Sequence, residues 1–534
     1  MVVYSLSRCA ALALVACTAI FATASLKPAK AETVLYKGMG GEPLTLDPAH
    51  TTTNIEEMAL KDLYEGLTVY DRAGNIVPGA AESWTLSPDG MTLTFKIRQN
   101  AKWSDGTPVT ASDFVYSIQR MENPKEAAGY ANILYPIKNA QEVNNGKADL
   151  SSLGVKALDD RTLEIDLKQP TPYMLQLLAH QAALPVSKAA IEKYGADWVK
   201  PGNLVSNGAY MLTENVANDH LTWVKNPNHW DAANTKIDKV VAYPSEDQAA
   251  MERRFMAGEI DMTYQFPTDQ IVFLRSKLGD QVHVTAGLST YYYAFDGRHP
   301  PFNDVRVRQA LSMAIDRDFL SEKIFAGSKL PTYSLVPDGI SGYTPAKLDY
   351  ANQPQLDRED QARELLKQAG YGEGGKPLKI EIRYNTNEGH KKAALAVADN
   401  WKALGAEVSV LNQDIKTHYA FLQSGASFDV ARAGWVADYA DPENFLTLTL
   451  STNKTFNYGS YNNPQFDALI AKSYQERDQA VRMKTLHDAE ALIMRDVPIT
   501  PLVNDADPWL VSNKIKGFVE NATNQHMTRF LTKE

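Results

Sequence analysis

Residues 378–439 read LKIEIRYNTNEGHKKAALAVADNWKALGAEVSVLNQDIKTHYAFLQSGASFDVARAGWVADY, and their periodicity changes four times. The segment 379–384 (KIEIRY) alternates as a strand does, and 390–404 then carries apolar residues at helical spacing. Residues 407–411 (EVSVL) return to a strand pattern, 416–423 to a helix, and 428–433 (FDVARA) to a strand. A β-α-β-α-β order predicts a parallel sheet with right-handed crossovers. Ligands of such sheets sit beyond the carboxyl ends of the strands. Arg432, Trp435 and Asp438 lie at or just past one such end, which makes them binding candidates on position alone.

The same mixture extends outward. Upstream, Asp357 precedes a helical run, REDQARELLKQAG, that Gly370 can end. Between 305 and 326, Val307, Ala310, Leu311, Ala314, Ile315, Phe319 and Ile324 form one helical stripe. Nearer the start, 93–98 (LTFKIR) and 162–167 (TLEIDL) read as half-buried strands, the second following a turn at Asp159-Asp160. The fold class expected is α/β.

The first residues resemble a secretory leader. Arg8 precedes a small, apolar stretch, and Ala29-Lys30-Ala31 has the spacing of a signal-peptidase site. We take residues 1–31 as a signal peptide and the protein as exported. Leu14-Val15-Ala16-Cys17 offers a second reading, a lipoprotein box that would leave Cys17 lipid-linked. Of 534 residues, about 500 then remain, more than one core can organise, so two or three lobes are expected. The net charge of −10 argues against nucleic acid or anionic lipid as partner. The only cysteines, Cys9 and Cys17, fall in the leader, so the remainder has no disulfide, thiolate nucleophile or cysteine metal site.

Catalytic signatures are scarce. Neither a His-Glu-x-x-His helix nor a Gly-x-Ser-x-Gly elbow occurs, and no two histidines have metal-ligand spacing. Gly370–Lys376 (GYGEGGK) imitates the front of a phosphate-binding loop. Pro377 stands where a magnesium-binding hydroxyl is required, and the segment joins helix to strand, the reverse of the needed order. A helix-ending turn explains it. No catalytic residue, metal or cofactor is expected. In 434–442 (GWVADYADP) Trp435 could be a plain core anchor and Asp438 a solvated loop acid.

Longer motifs favour the ligand reading. They include 81–84 (AESW), 101–116 (AKWSDGTPVTASDFVY), 188–194 (KAAIEKY), 207–210 (NGAY) and 258–262 (GEIDM). They continue with 291–293 (YYY), 301–308 (PFNDVRVR), 390–392 (HKK) and 428–439 (FDVARAGWVADY). In these the chain resembles the periplasmic oligopeptide-binding proteins of peptide ABC importers, within the extracellular solute-binding family for peptides and nickel. The resemblance implies a periplasmic-binding-protein-like fold of three lobes, two of them ligand-enclosing α/β lobes joined by a hinge. The first binding lobe would combine 32–64, 188–288 and 518–534; the extra lobe would be 65–187 and the second binding lobe 289–517. It implies a monomer that takes short peptides and docks on permease subunits in the inner membrane. Other ligands of the same fold are murein peptide, glutathione, haem or a nickel chelate. A rival of another class is an exported peptidase or amidase, and a chaperone role is a third.

The resemblance also assigns roles. Asp438 matches the acid that pairs with the peptide α-ammonium, and Arg432 and His390 match groups on the carboxylate side. Trp435 matches a pocket wall, Tyr130 a ligand-contacting tyrosine, and Ala433 with Gly434 the backbone that hydrogen-bonds an extended ligand. Departures occur at His299, where a lysine usually helps hold the carboxylate, and at Thr52, in place of a ligand-contacting glutamate. Ser289 and Val436 stand where some relatives carry a disulfide.

Overall fold

The segment from Leu378 to Val436 builds the end of a twelve-stranded sheet in which Ala406–Gln413, Leu378–Asn385 and Val430–Val436 lie side by side and parallel. The computed structural model describes residues 32–534 except Thr52 and Glu373, so the leader and both cysteines fall outside the described residues. The helices between these strands start where short polar side chains can cap them. Asn387 accepts from the His390 N–H ahead of Glu388–Lys402, and Asp414 from the Thr417 N–H ahead of Ile415–Gln423. The helix Glu388–Lys402 turns its alanines, Val397 and Trp401 inward. Trp401 is fully buried and spends its indole N–H on the Leu311 carbonyl at 2.8 Å. Gly370, at φ +83°, ends the helix Gln355–Gln368, and the Lys376 N–H returns to the Gly370 carbonyl.

Beyond Val430–Val436 the sheet becomes antiparallel, through Ser289–Phe295 to the thirteen-residue strand Ile499–Val511. That last strand crosses the molecule. Its first half pairs with Ser289–Phe295, and its second half with Val282–Ala286 and Met262–Tyr264. From there the sheet continues through Val34–Met39 and Lys239–Pro244 to the hairpin of Tyr210–Val216 and His220–Lys225. The chain crosses a second time at Gly287-Leu288, between Val282–Ala286 and Ser289–Phe295. A separate four-stranded sheet holds the two strands expected near 93 and 162, Thr92–Ile97 and Thr162–Asp166, as antiparallel neighbours. Three large apolar cores result, one on each side of the crossing and one behind the four-stranded sheet.

The stripe expected between 305 and 326 is not one helix. Val305–Ala314 ends at Ile315, and Asp316 caps a new turn by accepting from the Phe319 N–H. Phe319 consequently points to solvent. A side chain that offers the backbone a cap competes with helix continuation, which an apolar stripe alone does not reveal.

Candidate ligand-binding site

The strand Val430–Val436 is paired unequally. One edge is bonded to Ser289–Phe295 along its whole length, whereas the other meets Leu378–Asn385 only at Val430 and Ala431. The Arg432 carbonyl is taken by His418 Nε2 at 2.9 Å. From Ala433 through Gly434 to Trp435 the second edge therefore carries no ladder partner. An open edge of this kind is where an extended chain can add as a further strand. Trp435 borders it half-buried, its indole N–H bonded to Asn444 Oδ1 at 2.7 Å and its ring edge-on to Phe456.

Past the strand, the Ala437 N–H returns to the Leu288 carbonyl and the chain enters a firmly held loop. Asp441 and Arg482, both fully buried, make a two-pronged pair at 2.7 and 2.8 Å. Tyr439 stacks on Tyr173 at 4.4 Å and donates to Glu443. The loop thereby presents Asp438 to a cleft of about 290 Å³, whose walls also carry Tyr130, Glu57, His180, Asp507 and Asn524. Among the described residues Asp438 has neither an ion pair nor a hydrogen bond. It reaches solvent, yet the surrounding protein strips enough water to raise its carboxyl above the usual range. Tyr130 sits edge-on to His180 at 5.1 Å, and its hydroxyl is pushed up first by burial and then by the charge of Asp438. Burial lowers His180 to about 4, so it is neutral at physiological pH. Asp438 and Tyr130 thus share one cleft. Thr52 lies outside the described residues, although Asn54 and Glu57 from the helix that follows it line the same cleft.

A second group gathers near the base of the open edge. Arg432 donates to Asn385 Oδ1 at 3.0 Å and to the Tyr419 hydroxyl at 3.1 Å, with its guanidinium 4.6 Å above the Tyr291 ring. His390 packs on that same ring, and burial followed by the charges of Arg432 and Lys329 lowers it to about 3. Lys329 is lowered to about 8 by burial and by Arg432, and it contacts the Asp505 carboxylate. Arg383 is buried over the Phe421 ring with no ion pair. Arg432 Nε, Arg383 Nε, His390 Nδ1 and His418 Nδ1 are all buried without a partner. Sequence reasoning found Arg432 and His390 but missed Lys329 and Arg383. Nothing local marks them, because their place depends on strand pairing across distant segments.

His299 is not brought to this group. Its ring bonds the Phe428 and Pro300 carbonyls and lies 3.6 Å from Asp296. Phe428 precedes the strand at its amino end, about 13 Å from Arg432 at 3.3 Å per residue. Ser289 and Val436 are direct register partners. Among the described residues no three His, Asp or Glu side chains are grouped to hold a metal, and no helix is long and apolar enough to cross a membrane.

The family model for bacterial extracellular solute-binding proteins, family 5, matches residues 75–457. The chain belongs to that family. Among family 5 relatives it is 42% identical to the periplasmic murein peptide-binding protein MppA of Escherichia coli, covering 91% of this chain and 90% of that one. It is 41% identical to the periplasmic oligopeptide-binding protein OppA of the same organism, over 91% and 89%. The unliganded open form of MppA superposes with a TM-score of 0.90 at 40% identity, covering 94% of this chain and 98% of that one. A second structure of the Escherichia coli murein tripeptide binding protein, also 40% identical, covers 94% and 99% but reaches only 0.68. Equal identity with unequal superposition means that this family 5 chain is arranged as in the open form. Its fold is periplasmic-binding-protein-like.

Proposed function

We propose that this protein is the periplasmic substrate-binding component of an ABC importer, capturing short oligopeptides and handing them to permease subunits in the inner membrane. One observation carries the reading. A strand edge left open from Ala433 to Trp435 runs from a cation cluster at Arg432 to an acid without a cation at Asp438. A peptide in extended form has the same three parts: a carboxylate, a run of main-chain donors and acceptors, and an ammonium. Main-chain bonding supplies affinity without reading side chains, and the two charged ends fix direction. Arg432 and Asp438 are separated by up to about 20 Å of chain. The reach of the arginine narrows that to the span of roughly three to five peptide residues.

In this reading the three cores correspond to three lobes, the protein works as a monomer, and closure about the two crossings encloses the ligand. No covalent step is assigned to any residue. As an exported chain of this family it would act in the periplasm, with the leader removed after Ala31.

A murein peptide is the second ligand to test. It is the ligand in the name of one relative, and the surplus of cations around Arg432 suits a ligand with more than one carboxylate. The experiment is a calorimetric titration of ligand-stripped protein with tripeptides and tetrapeptides, each free and N-acetylated. Tight binding of the free forms that acetylation abolishes supports capture through the amine. Absence of binding by every peptide would overturn the reading.

A further inference from the structure

Asp507 is an acid of the cleft to which the family motifs give no role. It sits in the crossing strand Ile499–Val511, opposite Thr285, and among the described residues its carboxylate accepts one hydrogen bond, from the Tyr264 hydroxyl at 3.0 Å. Among the described residues no cation pairs with it. Burial raises its carboxyl to about 6, so it is largely ionised at neutral pH. The other charged groups of the cleft do not compensate it. Glu57 already holds Lys61 at 3.6 Å, His180 is neutral, and Asp438 is the second unpaired acid.

The two acids are neighbours through the second crossing. Ala437, next to Asp438, hydrogen-bonds Leu288, and a Cβ on the adjacent Gly287 would lie 2.8 Å from Asp507 Oδ2. The absence of a side chain at Gly287 is what leaves room for the Asp507 carboxylate. Two acids flanking a two-residue corner are on the order of 7–10 Å apart. The α- and ε-nitrogens of a lysine span a similar distance.

We propose that Asp507 selects peptides whose first residue carries a basic side chain, taking the side-chain cation while Asp438 takes the α-ammonium. The inference rests on the peptide reading above. It follows from charge balance: a single ammonium leaves one ionised acid in the closed cleft without a counter-charge, whereas a dicationic first residue satisfies both.

The test compares Lys-Ala-Ala with norleucyl-Ala-Ala, which has the same chain length and no side-chain charge, by calorimetry at pH 7.5. In the native protein the lysyl peptide should bind at least tenfold tighter. In Asp507→Asn the ratio should fall to twofold or less, and Asp507→Glu should restore part of it. Using the ratio removes any general loss of affinity in the variants. A native ratio near one, or a ratio kept in Asp507→Asn, overturns the proposal while leaving peptide binding intact. Failure of both peptides to bind the native protein removes the peptide reading and this inference together.

Discussion

The two ends of the open strand edge are built as opposites. At Asp438 there are acids without cations: Asp438 itself and Asp507, with Glu57 alone holding a lysine. At Arg432 there are cations with almost no acids: Arg432 and Arg383 are unpaired, and only Lys329 meets a carboxylate. Other interior charges are closely paired: Asp441 with Arg482, Asp47 with Arg120, and Glu65 with Arg529. Arg317, Arg358 and Glu490, which have no ion pair among the described residues, are instead held by hydrogen bonds to neutral groups. A desolvated charge without a partner is destabilising, so its persistence at two places on one strand points to a partner that arrives from outside. The arrangement resembles one ion pair pulled apart and held open for a ligand of the complementary polarity.

The sharpest way to break this comparison is Asp438→Asn. Removing one member of a desolvated pair costs about 3–5 kcal/mol, which is roughly two to three orders of magnitude in affinity for a free-amine peptide. Calorimetry decides it, and a loss below about fivefold would mean that Asp438 is a loop acid and nothing more. The matched pairs behave differently. Arg482→Met alone leaves Asp441 buried and uncompensated, with an expected loss of about 3–5 kcal/mol of stability in denaturant melts. The double change Arg482→Met with Asp441→Leu should recover most of that loss, since a buried pair is replaceable by apolar residues of similar volume. No such second change within the protein should rescue Asp438→Asn, because its partner belongs to the ligand.

At the other end the effect is shared among several groups and is accordingly smaller. Arg432→Gln should weaken a tripeptide with a free carboxylate by about ten- to a hundredfold, the worth of one charge-assisted bond. The same variant should bind the C-terminal amide as well as the native protein binds it. Equal losses for acid and amide would show that Arg432 supports the fold through Asn385 and Tyr419 and does not meet the ligand.

How much of this was legible in the sequence depends on the range of the interactions. The parallel unit from Leu378 to Val436 could be read because each element declares its own period within about ten residues. The motif 428–439 placed Asp438 and Arg432 on a strand end for the same reason. What could not be read was set by partners far away in the chain. The helix that stops at Ile315 does so because Asp316 caps a new turn, although the apolar spacing continues unbroken. Asp507 is one of two acids in the run Asn504–Asp507 until strand pairing sets it beside Gly287, about 220 residues earlier. Lys329 gains its neighbours only when its short strand pairs with Ile499–Val511.

His299 gives the smallest expected effect, and it tests the geometry most directly. Family resemblance places it among the carboxylate-binding groups, where a titrating imidazole would make affinity depend on pH. In the fold its ring is bonded to the Phe428 and Pro300 carbonyls at the amino end of the strand, the end that parallel sheets turn away from their ligands. His299→Ala should therefore change tripeptide affinity by less than about twofold, and should leave the profile of affinity between about pH 5.5 and 8 unaltered, since its ring is held at Phe428, about 13 Å along the strand from Arg432 and beyond hydrogen-bond reach of the group there. A loss comparable with that of Arg432→Gln would require the amino end of the strand to move into the cleft on closure. The division between a charged, ligand-facing carboxyl end and a structural amino end would then fail.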